Sequence, residues 1–94
     1  AYSDARIKTN IQTINNALEK VLLLRGVTYT RTDSDDTKEK IGVIAQEVQK
    51  VLPQVVFEQS NGLLGVSYGN MVGVLIEAIK EQQKQIEELK AKLV

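Results

Sequence analysis

Apolar residues recur along this chain in two rhythms, and each rhythm predicts a type of element. From Ile11 they fall at Ile11, Ile14, Leu18, Val21 and Leu22, spacings of three and four that mark one face of a helix. Asn10 or Thr13 would cap its start, and Gly26 stands just past its end. Val27 to Thr30, "VTYT", is β-branched and aromatic and predicts a strand. The charged stretch "RTDSDDTKEK" predicts a loop. "IGVIAQEVQKVLP" then opens on a short apolar run and continues with Ala45, Val48, Val51 and Leu52 at helical spacing, until Pro53 stops the helix. "VVFEQ-SNG-LLGVSY" reads as a hairpin, because Asn61-Gly62 favours the left-handed geometry of tight turns.

After Gly69 the chain changes character. Residues 70–94 contain no breaker beyond Gly73 and are rich in Glu, Lys, Gln, Ala, Leu and Ile, which are helix formers or tolerated in helices. Val72, Leu75, Ile79, Gln82, Ile86, Leu89 and Leu93 are separated alternately by three and four residues. That pattern is a heptad with a positions at 72, 79, 86 and 93 and d positions at 75, 82 and 89. A plain amphipathic helix would fold this stripe onto its own domain. A coiled coil would pair it with further copies, and Gln82 at a d position would set register. The pattern predicts an α+β head over residues 1–69 and a C-terminal coiled-coil helix over 70–94. A head this small has limited core, so self-association is the natural source of extra stability.

Composition narrows the chemistry. Lys plus Arg and Asp plus Glu balance at 12 each, which leaves no electrostatic footprint for nucleic acid or an anionic membrane. No apolar run approaches the roughly 18–20 residues that span a bilayer. With neither cysteine nor histidine, disulfides and thiolate zinc sites are excluded and no metal or cofactor is expected. An EF-hand loop starting at Asp33 would need glycine at its sixth position and glutamate at its twelfth. It finds Lys38 and Ile44.

The same composition removes the Ser-His-Asp and Cys-His partnerships. Ser-Lys is nearly the only nucleophile–base type left. Ser3 and Lys8, in "SDARIK", are one such pair, and by residue type alone they read first as ordinary polar side chains of an N-terminal segment. A lysine serves as base only when neutral, so its ordinary value of about 10.4 must be brought towards 7–8 by burial or a nearby cation. Arg6 is close enough in sequence to be that cation. Five residues of extended chain span about 16 Å, so the two side chains meet only if the backbone turns between them or if they come from different subunits.

The motifs "SDARIKTNI", "LRGVTYT", "IGVIAQEVQKVLPQVV", "GLLGVSY" and "LIEAIKEQQKQIEEL" follow one another from Ser3 to about Leu89. In this order they resemble the C-terminal intramolecular chaperone domains of bacteriophage tail spikes and tail fibres. That family includes the endosialidase chaperone and the related self-cleaving domain of the myelin regulatory factor. The resemblance implies a homotrimer whose C-terminal helix forms a coiled coil. It also implies registration of three chains while the upstream stem of the same polypeptide folds in the host cytoplasm. Autoproteolysis would then release the chaperone and leave the parent fibre in the virion tail. Carried over by position, Ser3 is the nucleophile, Lys8 the general base and Tyr2–Ser3 the scissile bond, with Asp4, Arg6 and Asn10 in positioning roles. A dyad completed only in the trimer would couple cleavage to assembly. The rival expectation is a trimerisation or capping module that stays attached, with Ser3 and Lys8 as bystanders.

Overall fold

The longest run of good helix formers becomes the axis of the molecule. α3, Met71–Lys92, is one helix of 22 residues, and a computed structural model describes it together with the rest of residues 2–94. Ahead of it come α1 (Ala17–Val21), β1 (Val27–Tyr29), β2 (Lys40–Gly42), α2 (Ala45–Gln49), β3 (Val56–Glu58) and β4 (Leu64–Val66). The strands form two separate antiparallel pairs, β1 with β2 and β3 with β4. The architecture is a small α+β head carrying a long C-terminal helix.

The first helix is shorter than its periodicity predicts. Asn10 and Asn16 both adopt left-handed backbone, with φ of 53° and 56°, a conformation asparagine tolerates better than most residues. A helix cannot propagate through such a residue, so residues 8–16 run irregularly and α1 begins only after Asn16. Neither Asn10 nor Thr13 caps it. Its first amides reach across the fold instead: the N–H groups of Ala17 and Leu18 donate to Glu81 Oε2 at 2.7 and 3.3 Å. Sequence periodicity cannot register a cap supplied from 64 residues away.

Pro53 acts as expected and ends the α2 region, and a 3-10 turn, Pro53–Val55, follows. The hairpin also forms, in the register Val56↔Val66, Phe57↔Gly65 and Glu58↔Leu64. Its turn is longer than a two-residue left-handed turn. Gln59 and Leu63 still pair, the Gly62 N–H donates to the Gln59 carbonyl at 2.9 Å, and only Gly62 has positive φ, 84°. This is a three-residue loop with its single left-handed position at glycine. Across the hairpin the Phe57 ring lies where a Cβ on Gly65 would stand, 2.5 Å from its nearest carbon. A larger residue there would have to displace the half-exposed Phe57 ring.

The core is compact: Ala17, Val48, Leu52, Val55, Met71, Val74 and Ala78 are buried. Three of these seven lie on the first half of α3. Beyond Glu81 every residue of the helix is exposed, so its last 11 residues project about 16 Å past the head. One stripe of the helix packs on its own head, as an amphipathic helix would, while the heptad stripe stays exposed. Val72, Leu75, Ile79, Ile86, Leu89 and Leu93 are 41–87% exposed.

Candidate functional site

The segment from Tyr2 to Lys8 contains its own turn. Asp4 sits in extended backbone, and its carboxylate accepts a hydrogen bond from the Arg6 backbone N–H at 2.8 Å. This N-cap starts a 3-10 turn over Ala5–Ile7. The turn closes through Ile7 N–H to the Asp4 carbonyl and Lys8 N–H to the Ala5 carbonyl, both at 3.1 Å. Arg6 folds back to fork the same carboxylate, Nε at 3.1 Å and Nη2 at 2.8 Å. Its charge-assisted hydrogen bond holds the Asp4 carboxyl below the usual carboxylate range, and Asp4 in turn raises Arg6.

The consequence is a contact that spacing alone does not give. Lys8 returns to extended backbone, and its Nζ donates to Ser3 Oγ at 2.7 Å. The backbone turns between the two residues, so one chain suffices to join them. The expectation that a single chain would lack the geometry is corrected by this contact. A second correction concerns Arg6. Its guanidinium is committed to Asp4, so the pair is close to neutral and supplies Lys8 with no free cation. Asn10 contributes its left-handed backbone just after the turn. Among the described residues its side chain makes no hydrogen bond to Ser3 or Lys8.

Tyr2, Ser3 and Lys8 are all exposed, Tyr2 to 93%. Chemically, a hydroxyl, an amine and the preceding peptide carbonyl stand together. A serine Oγ can attack the carbonyl of its own preceding residue while a neighbouring amine handles the proton. The acidic loop makes no comparable constellation. Asp33 is paired with Arg31, and Asp36 accepts from the Lys38 N–H and from Lys40 Nζ, each at 2.9 Å. Among the described residues no group of acidic side chains is placed to hold a metal ion, and no helix is long and apolar enough to cross a membrane.

Two features escaped sequence reasoning. Glu81 reads as one charge among many in a Glu/Lys/Gln-rich tail, and nothing local marks it as a cap. Ile76 lies beside the heptad position Leu75 and is 51% exposed. Its apolar character at an e position was the available signal.

The described residues thus combine an exposed Ser–Lys pair at the start of an α+β head with a long helix whose second half is exposed. Residues 3–57 match the model of a peptidase family described as chaperone of endosialidase. The chain is 36% identical, over 98% of its length, to the long tail fiber protein Gp37 of Enterobacteria phage K3. It is likewise 36% identical over 97% to that of Enterobacteria phage M1, and 33% identical over 97% to that of Salmonella phage S16. It spans only 8%, 39% and 13% of those proteins' lengths. The chain belongs to the chaperone-of-endosialidase family.

Proposed function

We propose that this domain is the intramolecular chaperone of a phage tail fibre, assembling as a homotrimer through α3 and releasing itself by cleavage at Tyr2–Ser3. Family membership and the fibre names of its relatives support the chaperone role. The observation that carries the cleavage is the 2.7 Å contact between Lys8 Nζ and Ser3 Oγ, formed by a turn that Asp4 and Arg6 brace.

The chemistry balances within the segment. Ser3 Oγ adds to the Tyr2 carbonyl carbon as Lys8, in its neutral form, takes the hydroxyl proton. The tetrahedral intermediate collapses with loss of the Ser3 nitrogen, which receives that proton back, leaving Tyr2 esterified to Ser3 Oγ. Water then hydrolyses the ester to a Tyr2 carboxylate and a free Ser3 hydroxyl. The reaction runs once per chain. In the single chain both side chains face water. Covering the dyad with neighbouring subunits or the upstream stem would favour the neutral amine. Assembly would then gate cleavage through solvation, since the contact itself is already made.

Chaperoning has a plain physical purpose. A fibrous stem folds through non-local contacts between chains and nucleates slowly, so fixing three chain ends in register lowers the entropic cost of starting. Removing the chaperone would leave a stem that is stable because it unfolds slowly.

The test is expression of the domain behind its native upstream stem, as wild type, Ser3→Ala and Lys8→Ala, on denaturing gels with mass spectrometry of the products. Wild type is expected to yield a fragment beginning at Ser3, and both variants to remain full length. Full-length bands of equal intensity in all three would instead establish a domain that stays attached.

A further inference from the structure

We infer that the head itself takes part in the assembly, with Ile11 of one copy inserting into an apolar groove beside Leu75 of the next. This rests on the parallel coiled coil proposed above and specifies what flanks it. Around the first half of α3 the head covers one sector of the helix and leaves another open. Met71, Val74 and Ala78, at heptad positions g, c and g, are buried against the head. Val72, Leu75, Ile76 and Ile79, at a, d, e and a, are 44–65% exposed. The open sector is therefore the a/d seam widened on its e side.

Two apolar features border this seam, one on each flank. On the e side the irregular segment after the dyad lays Ile11 and Ile14 along Gly73 and Ile76, and Ile11 remains 71% exposed. On the g side a groove of about 350 Å³ runs beside Met71 and Leu75, walled by Leu24, Gly26, Val43 and Tyr68. That volume admits a whole aliphatic side chain. In a parallel coiled coil the e side of each helix faces the g side of its neighbour. Three copies about one axis consequently bring the Ile11 flank of each head onto the groove of the next, a head-to-tail contact that closes after three steps. The occupant is a second copy of this chain, because the seam continuing through Ile86, Leu89 and Leu93 sets its register.

The contact has a functional corollary. Ile11 lies three residues beyond Lys8 on the same irregular segment, so the docking that buries Ile11 also places a neighbouring subunit close to the dyad.

The absence of native cysteine makes the test direct. Chains carrying Ile11→Cys are mixed with chains carrying Gly26→Cys, co-assembled and oxidised. Gly26 lines the groove, has no positive φ, and a Cβ there meets nothing within 4 Å. A cross-link joining the two chain types is expected well in excess of like-with-like products. In parallel, Ile11→Asp is expected to raise the concentration at which trimers dissociate by about tenfold or more, with an unchanged far-ultraviolet circular dichroism spectrum. A trimeric wild type that gives no mixed cross-link and tolerates Ile11→Asp would overturn this contact while leaving the coiled coil standing. A monomeric wild type would overturn both.

Discussion

The turn at residues 3–8 and the packed half of α3 are held by opposite means. Every hydrogen bond that shapes the turn joins residues no more than five apart, and every residue in it is exposed. The packed half of α3 holds through Met71, Val74 and Ala78 against buried partners far away in sequence, and through Glu81 capping α1. The first is autonomous and weak. The second is cooperative and depends on the whole head. The Ser3–Lys8 contact therefore forms without the core, so under the proposed cleavage any gating by assembly would act through the environment of the pair and not through the contact.

The largest effect should come from the cooperative side. Leu52 is 5% exposed within the core, and Leu52→Ala removes buried methyl groups and leaves a void. A loss of about 2–5 kcal/mol in folding stability is expected, read as a lower urea midpoint. If the comparison is right, this variant keeps the Ser3–Lys8 turn under conditions where it remains folded. Amide chemical shifts of Ile7 and Lys8 that stay at wild-type values would show this. Their collapse in the still-folded variant would show that the turn leans on the core after all.

The same contrast explains what the sequence made legible. The long C-terminal helix, the Pro53 stop and the hairpin around Asn61-Gly62 are local patterns, and each forms where its residues say, the turn differing only in length. The strand at Val27 does too. Misreadings arose where a distant or conformational term entered. The spacing from Ile11 to Leu22 is helical, yet two left-handed asparagines confine α1 to five residues. Its cap comes from Glu81, which no window of sequence connects to Ala17. At the candidate site the residue types allowed a Ser-Lys pair, the family resemblance pointed to Ser3 and Lys8, and their meeting depended on a turn. The turn's own signal, Asp4 two residues before Arg6, was present in "SDARIK" and is recognisable as an N-cap once the geometry is seen.

A smaller effect should follow at the junction between helix and head. Glu81→Ala would leave the Ala17 and Leu18 amides without their acceptor at a partly buried site, at a cost of about 1 kcal/mol. Glu81→Gln retains an acceptor oxygen and should cost less. Hydrogen exchange at Ala17 and Leu18 would report the difference directly, with Ala exchanging fastest and wild type slowest. Equal exchange in all three would mean that α1 is held by its apolar face alone.

The smallest effect on stability, and the most informative about the turn, belongs to Asp4. Arg6 holds its carboxyl below the ordinary value of 3.8, first through the side-chain hydrogen bond and then through the backbone one. A carboxyl whose folded value is depressed stabilises above its unfolded value, and that contribution disappears as pH falls through the lowered one. Acidification below about pH 4 should therefore loosen the turn before the head unfolds. Because the group is exposed, the global denaturation midpoint should scarcely move. The Arg6 amide resonance should shift with the Asp4 titration while the Val48 and Val74 amides stay fixed. Asp4→Asn keeps an oxygen to accept from the Arg6 N–H but loses the ion pair, so it should flatten that titration and slow cleavage behind the native stem without changing head stability. A variant that cleaves as fast as wild type would show that the Ser3–Lys8 contact forms without its brace, and the turn would then owe its shape to the 3-10 backbone alone.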